Sequence, residues 1–383
     1  MQMNESDLNL LQEKIEKIYE KEAESLSTKE LDYIKDLHRK WEAMKSEAFR
    51  EMEDTWNPIK FLKAVRKYAY ARSLESFASH NILHGQYDSF DDEEYWSSEW
   101  EFRSPIDGQK WKREHNGIHH TYTNVLEKDP DLHNGIMRTH HLVPWDFLHI
   151  FQIPWYFLIF YPKWMEYFNS QNDGSIEYYR RKKFKKGNKG YANIKPDGSE
   201  TTDKEAFKNF ARSNRLIKRW NKENIYDLAN KSCSSTRKMI FGLKLAELIL
   251  SYEVAFTIQA THQCEEKYAP GYFPESKGGW YLMQIETTRN FELGNKERTD
   301  YYGGLNYQIE HHLFPDIPYS RYPELSVEIK KLCSEMGIKY REDDKRSTTY
   351  LRFLKECFKF SFPDSIRHFF WGKTKLERKS KND

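Results

Sequence analysis

Uninterrupted hydrophobic sequence is scarce in this chain, and the scarcity limits what the chain can be. A membrane-crossing helix needs roughly 20 mostly apolar residues in a row. The longest uncharged apolar run is Phe147 to Pro162, and it carries His149, Gln152 and Pro154. The next, Met239 to Cys264, is broken by Lys244, Glu247 and Glu253. With 31% charged residues and a mean hydropathy of −0.91, no conventional topology of several spans can be drawn.

Other absences narrow the reading further. No series of alternating polar and apolar residues marks a sheet, and no internal repeat or N-terminal signal peptide is expected. Four cysteines, Cys233, Cys264, Cys333 and Cys357, have neither zinc spacing nor evident pairing, which suits a reducing compartment. A net charge of +2 gives no electrostatic case for nucleic acid. The exception is the run Arg180-Arg181-Lys182-Lys183-Phe184-Lys185-Lys186. It reads as a solvated loop, or as a patch for an anionic membrane surface or acyl-carrier phosphates.

What the chain does have is histidine in a pattern. His80 and His84 form one box, His115, His119 and His120 a second, and His311 and His312 a third, with His262 between the last two. Residues four apart on a helix share a face, with Cβ atoms roughly 5–6 Å apart, so each i,i+4 pair can chelate one ion or flank two. Eight imidazoles exceed the about four ligands of zinc or six of octahedral iron, so two metals are expected. All-nitrogen ligation favours redox iron over magnesium or calcium, which take oxygen. His38, His133, His149 and His368 read as core histidines, and His140-His141 fits either a supporting role or a loop.

The order HxxxH, HxxxHH, QxxHH resembles the membrane-type fatty acid desaturase/hydroxylase superfamily. The segments HNILHGQYD, HNGIHHTYTNV and GGLNYQIEHHLFP are similar to bacterial acyl desaturases of the front-end and linoleoyl-CoA kinds, over most of residues 74–345. The resemblance implies a non-haem centre of two iron ions held by His80, His84, His115, His119, His120, His262, His311 and His312. Gln308 stands where many relatives carry another histidine. Gln308, Asn306, Asn290 and Glu310 become candidates to support the ligands, with Asp129 or Asp131 beside them. No catalytic group beyond the metal centre is implied. The expected reaction is O2-dependent insertion of a cis double bond into a long-chain acyl-lipid or acyl-CoA. A hydroxylase or other oxygenase of the superfamily is the first alternative, and a soluble metal-binding scaffold without turnover the second. The absence of a haem-binding HPGG segment calls for a separate electron donor of cytochrome b5 or ferredoxin type.

The family is integral to membranes, with the site facing the cytoplasm, and this chain lacks the spans. Two accounts fit: a reduced member resting on a membrane surface through Trp145–Trp164, or a soluble or peripheral recasting with Lys and Glu at lipid-facing positions. In the segment 58–84, apolar Phe61, Leu62, Val65, Tyr68, Leu74 and Phe77 alternate with Lys and Arg, as in a soluble amphipathic helix.

The fold class expected is all-α, a helical bundle carrying the histidine-box site with unusually polar helices. Residues 1–56 read as charged N-terminal helices with a Ser27-x-x-Glu30 capping box. Residues 57–345 form the desaturase-like unit, opened by Asn57-Pro58 as N-cap and first helical residue. An exposed basic insertion is expected at about 172–205, and a C-terminal helix and basic tail at 346–383.

Overall fold

The computed structural model describes residues 3–126, 128–132, 137–175, 178 and 202–379. His133, the basic run at 180–186 and most of the expected insertion lie outside the described residues. Among the described residues about 70% are helical, as expected. The strand content among the described residues is one two-residue parallel pair, β1 (Asn290–Phe291) with β2 (Glu342–Asp343), and one isolated bridge.

Two long N-terminal helices, α1 (Glu5–Ser25) and α2 (Thr28–Asp54), each start on a capping box, Asn4 with Asp7 and Ser27 with Glu30. Such boxes satisfy backbone N–H groups that the first turn leaves unpaired. Glu30 also receives Arg321 Nε at 2.8 Å, which ties the start of α2 to the C-terminal half of the chain. The third helix, α3 (Pro58–Leu83), starts as expected, with Asn57 Oδ1 accepting the amides of Ile59 and Lys60. Leu62, expected on the apolar face, is exposed. From Ala71 to Leu83 every residue is buried on all sides. The amphipathic pattern therefore covers only the first half of α3, and its second half is the axis of the molecule.

Chain order then gives α4 (Gly108–Glu114), a π-turn at His115–His119, short helical turns through 147–163, and α5 (Trp164–Asn172). After these come α6 (Asp203–Asn221), α7 (Thr236–His262), α8 (Lys277–Thr287), α9 (Lys296–Tyr301) and α10 (Gln308–Leu313). Then follow α11 (Tyr322–Glu335), α12 (Arg346–Phe360) and α13 (Asp364–Trp371), and a short helical turn at Lys375–Lys379. Helix α3 packs against α2 on one side and α7 on the other, α1 against α8, and α8 against α10. No helix among the described residues is long and apolar enough to cross a membrane.

One ionic cluster lies inside this packing. Arg72 on α3 donates to Glu247 on α7 at 2.8 Å and to Glu75, while Glu75 also receives Lys45 of α2 at 2.9 Å. Two cations against two carboxylates leave no net buried charge, so the cluster registers three helices. Arg72→Ala should strand Glu247, leave Glu75 with Lys45 alone and lower stability by about 3–5 kcal/mol, read by chemical denaturation; a loss under about 1 kcal/mol would show the cluster to be solvated.

Candidate metal centre

The structure brings all eight box histidines into one buried space. His80 stands on the last turn of α3 and His84 caps it. The second box departs from the expected α-helix: His115–His119 is a π-turn, closed by the His120 amide on the His115 carbonyl at 3.1 Å. Single π-turns recur at functional sites, and this wider turn lets both His119 and His120 approach His115, with ring centroids 4.8 and 4.9 Å away. His262 ends α7, and His311 and His312 lie on α10.

These rings sort into two sets. In the first, His80, His84, His115 and His311 have ligand atoms within 4.8 Å of one another. In the second, His119, His262 and His312 do the same. His120 lies between them, grouped with His311 and His312, and stacks on His312 at 4.3 Å. The Nε2 atoms of His84 and His311 lie 3.0 and 3.2 Å from His80 Nε2. Two nitrogens each about 2.1 Å from one ion, at right angles, are also about 3 Å apart. His115 Nε2, His312 Nε2 and both ring nitrogens of His120 are buried without a hydrogen-bond partner. Buried polar atoms ordinarily find partners, so this concentration of unpaired lone pairs marks a space shaped for cations. The donor set fits two transition-metal ions.

Electrostatics point the same way. Burial holds His80, His84, His115, His120, His311 and His312 well below the ordinary imidazole value, and brings His262 to about 3. Neutral imidazole is the ligating form. For His119 burial acts in the same direction, but Asp129 and Asp131 outweigh it and raise the ring to about 9.

The surrounding groups turn the rings. His119 Nδ1 meets Asp129 Oδ1 at 2.8 Å, and Asp129 Oδ2 accepts the Asn124 amide at 2.7 Å. His312 Nδ1 meets Gln284 Oε1 at 3.0 Å, which also accepts Thr123 Oγ1 at 2.8 Å. His262 Nδ1 faces the Thr287 carbonyl at 3.4 Å, and His311 Nδ1 the Tyr322 hydroxyl at 3.4 Å. In each case the Nδ1 contact leaves Nε2 for an ion, the usual arrangement at metal sites. Trp111, fully buried, stacks on His115 at 4.4 Å and stands edge-on to His80 and His84.

The supporting residues expected from sequence divide. Gln308 sits against His262. Asn290 accepts the Ile309 amide on its Oδ1 at 2.8 Å and donates to Glu310 at 2.8 Å, so it fixes the start of α10 rather than a ring. Glu310 turns to Asn290 and Tyr340, away from the histidine rings it was expected to orient. Asn306 donates to the Glu292 carbonyl at 3.3 Å and its Oδ1 is unpartnered. Of the two acidic alternatives, Asp129 binds His119, while Asp131 stands 3.8 Å from it. Gln284, Tyr322 and Trp111 escaped sequence reading; only Trp111, four residues before His115 on the same face, left a signal there.

The remaining histidines lie elsewhere. His38 packs between Trp41 and Trp100 and bonds the Tyr95 hydroxyl at 2.7 Å. His149 accepts the Asp146 amide, and His368 pairs with Glu377.

The third box reaches α3 because of two glycines. Gly303 and Gly304 have φ of +54° and +75°. A Cβ on Gly303 would lie 2.8 Å from the Phe77 carbonyl oxygen, and one on Gly304 2.6 Å from Tyr319 Cβ. Asn81, next to His80, donates to the Gly303 carbonyl at 2.6 Å. Close approach and positive φ both require glycine here.

Eight buried histidines that converge in two sets on an all-α fold are compatible with a metal site. A family model described as fatty acid desaturase matches residues 239–344, which include His262, Gln308, His311 and His312. The chain is 27% identical over 264 residues to the NADPH-dependent stearoyl-CoA 9-desaturase of Mycobacterium tuberculosis (strain ATCC 25618 / H37Rv), covering 68% of this chain and 58% of that protein. It is 26% identical to the sn-1 linoleoyl-lipid 6-desaturase of Arthrospira platensis, over 68% of this chain and 67% of that protein. It is also 36% identical over 111 residues to the acyl-lipid (8-3)-desaturase of Mortierella alpina, over 28% of this chain and 24% of that protein. No solved structure matches. These matches support placing the chain in the fatty acid desaturase superfamily.

Two substitutions test the site. Asp129→Ala should weaken metal binding about 10–100-fold in a titration with ferrous ion, while the helical circular dichroism stays unchanged. Gly304→Ala should lower the midpoint of thermal unfolding by several degrees, because the new methyl overlaps Tyr319.

Proposed function

We propose that this chain is an oxygen-dependent fatty acyl desaturase whose eight box histidines hold two iron ions. The observation that carries the reading is the convergence of eight buried imidazoles, several with unpartnered nitrogens, in two sets that meet at His120. Two irons bound there would supply dioxygen activation and removal of hydrogen from an unactivated methylene. The relatives' names support an acyl chain as substrate.

The chain's own residues do the rest. Asp129, Gln284, Thr287 and Tyr322 hold the Nδ1 sides of four ligands, so that their Nε2 atoms keep one direction. Trp111 and the buried half of α3 exclude water from the first set, which preserves a low dielectric around the reacting groups. Reducing equivalents come, on this reading, from a separate cytochrome b5 or ferredoxin type donor.

The first measurement is metal content per chain, on protein purified anaerobically with iron supplied. The expected result is about two irons per chain, as for a two-metal site, with His119→Ala and His311→Ala each losing iron while remaining helical. Incubation with a long-chain acyl substrate, a reductant and O2 should then yield a cis-monounsaturated product in step with oxygen uptake. An alcohol product would replace desaturation with hydroxylation, and full iron retention in either variant would overturn the ligand assignment.

A further inference from the structure

The groups that face the Nδ1 atoms of the second histidine set converge on two adjacent residues, Thr123 and Asn124. Both are fully buried, three and four residues past His120. Asn124 has a φ of +57°, a left-handed conformation that asparagine adopts more readily than most residues. Its peptide amide donates to Asp129 Oδ2 at 2.7 Å, and Asp129 Oδ1 meets His119 Nδ1. Its side-chain amide faces the carbonyls of His262 and Glu266 at 2.9 Å each and of Thr287 at 3.3 Å. The Thr287 carbonyl is the group opposite His262 Nδ1. One asparagine therefore holds the partners of two ligands and the backbone of one of them.

Thr123 serves the third ligand. Its hydroxyl oxygen lies 2.8 Å from Gln284 Oε1 and 3.3 Å from His312 Nδ1. Gln284 Nε2 donates to the His120 carbonyl at 3.1 Å, which leaves Oε1 toward Thr123 and His312. So His119, His262 and His312 each meet, on the Nδ1 side, a group held by Thr123 or Asn124. The pair also ties the second box to the end of α7 through His262 and to the end of α8 through Gln284 and Thr287. The first set is held otherwise: His80, His84 and His115 pack on Trp111, and Tyr322 faces His311. Among the described residues, the hydrogen bonds of Thr123 and Asn124 reach second-set residues and His120, and none reaches the first set.

We infer that Thr123 and Asn124 are positioning residues for one of the two ions alone. They set the three rings of the second set as a unit, so the ion held there can be lost while the ion of the first set stays. The inference rests on the two-ion reading proposed above and adds that the two sites are separable. Groups behind metal ligands set ring direction and ligand basicity, and a buried amide serving several carbonyls is costly to remove.

The test is anaerobic titration of the full chain with ferrous ion, read as iron bound per chain and without turnover. The wild type should take up two ions. Asn124→Gly tolerates the left-handed backbone and keeps the peptide amide for Asp129. It should hold one ion as the wild type does and the other about 10–100-fold more weakly, with helical circular dichroism unchanged. Thr123→Val, which removes the hydroxyl, should do the same, whereas Thr123→Ser, which keeps it, should match the wild type. His80→Ala removes a ligand of the first set; combined with Asn124→Gly it should leave neither ion tightly held. Wild-type binding of both ions by Asn124→Gly and Thr123→Val would overturn the inference. So would equal weakening of both ions in these variants, or one tight ion left in the double variant. A wild type that takes up fewer than two ions would overturn the two-ion reading itself, and the inference with it.

Discussion

Burying eight imidazoles in one cavity is the constraint on which the rest of this structure depends. Each ring nitrogen taken out of water without a partner carries a desolvation cost, and several here have none. Crowding adds to it, since a proton on one ring repels its neighbours; seven of the eight rings are driven toward the neutral form by burial first and by each other second. Cations bound there would satisfy the lone pairs and offset that cost.

The surroundings answer that constraint element by element. The buried half of α3 brings one box, a π-turn the second, the end of α7 the lone histidine, and α10 the third. None of these elements could hold its rings alone. Asn290 and the Gly303-Gly304 turn seat α10 against α3, and the Arg72 cluster seats α3 against α2 and α7. The groups on the Nδ1 atoms then fix ring rotation. Rigid support of this kind lets a site keep one geometry without strain in the ligands themselves.

The polar surface and the apolar interior are two separate arrangements in this chain. Charged residues cover α1, α2 and the first half of α3, yet the residues around the centre are buried throughout. Exposed apolar residues interrupt that surface, at 147–159 and 369–371 and elsewhere at Ile59 and Val327, and Tyr161 ties the first of these segments to Gln259 near the end of the helix that carries His262.

The sequence by itself determined the all-α class, the caps of α2 and α3 and which eight histidines would converge. These are local properties: caps and helices follow from neighbouring residues, and the boxes are written in contiguous letters. It also left the right two acidic candidates near His119 but could not choose between them. Only the tertiary structure decided that Asp129 and not Glu310 meets a ring, that the second box is a π-turn, and that Gln284, Tyr322 and Trp111 surround the ligands. Those outcomes depend on which helices pack together. Gln284 and Thr123 are far apart in the chain, and nothing in either local sequence records that both would meet His312 across the core.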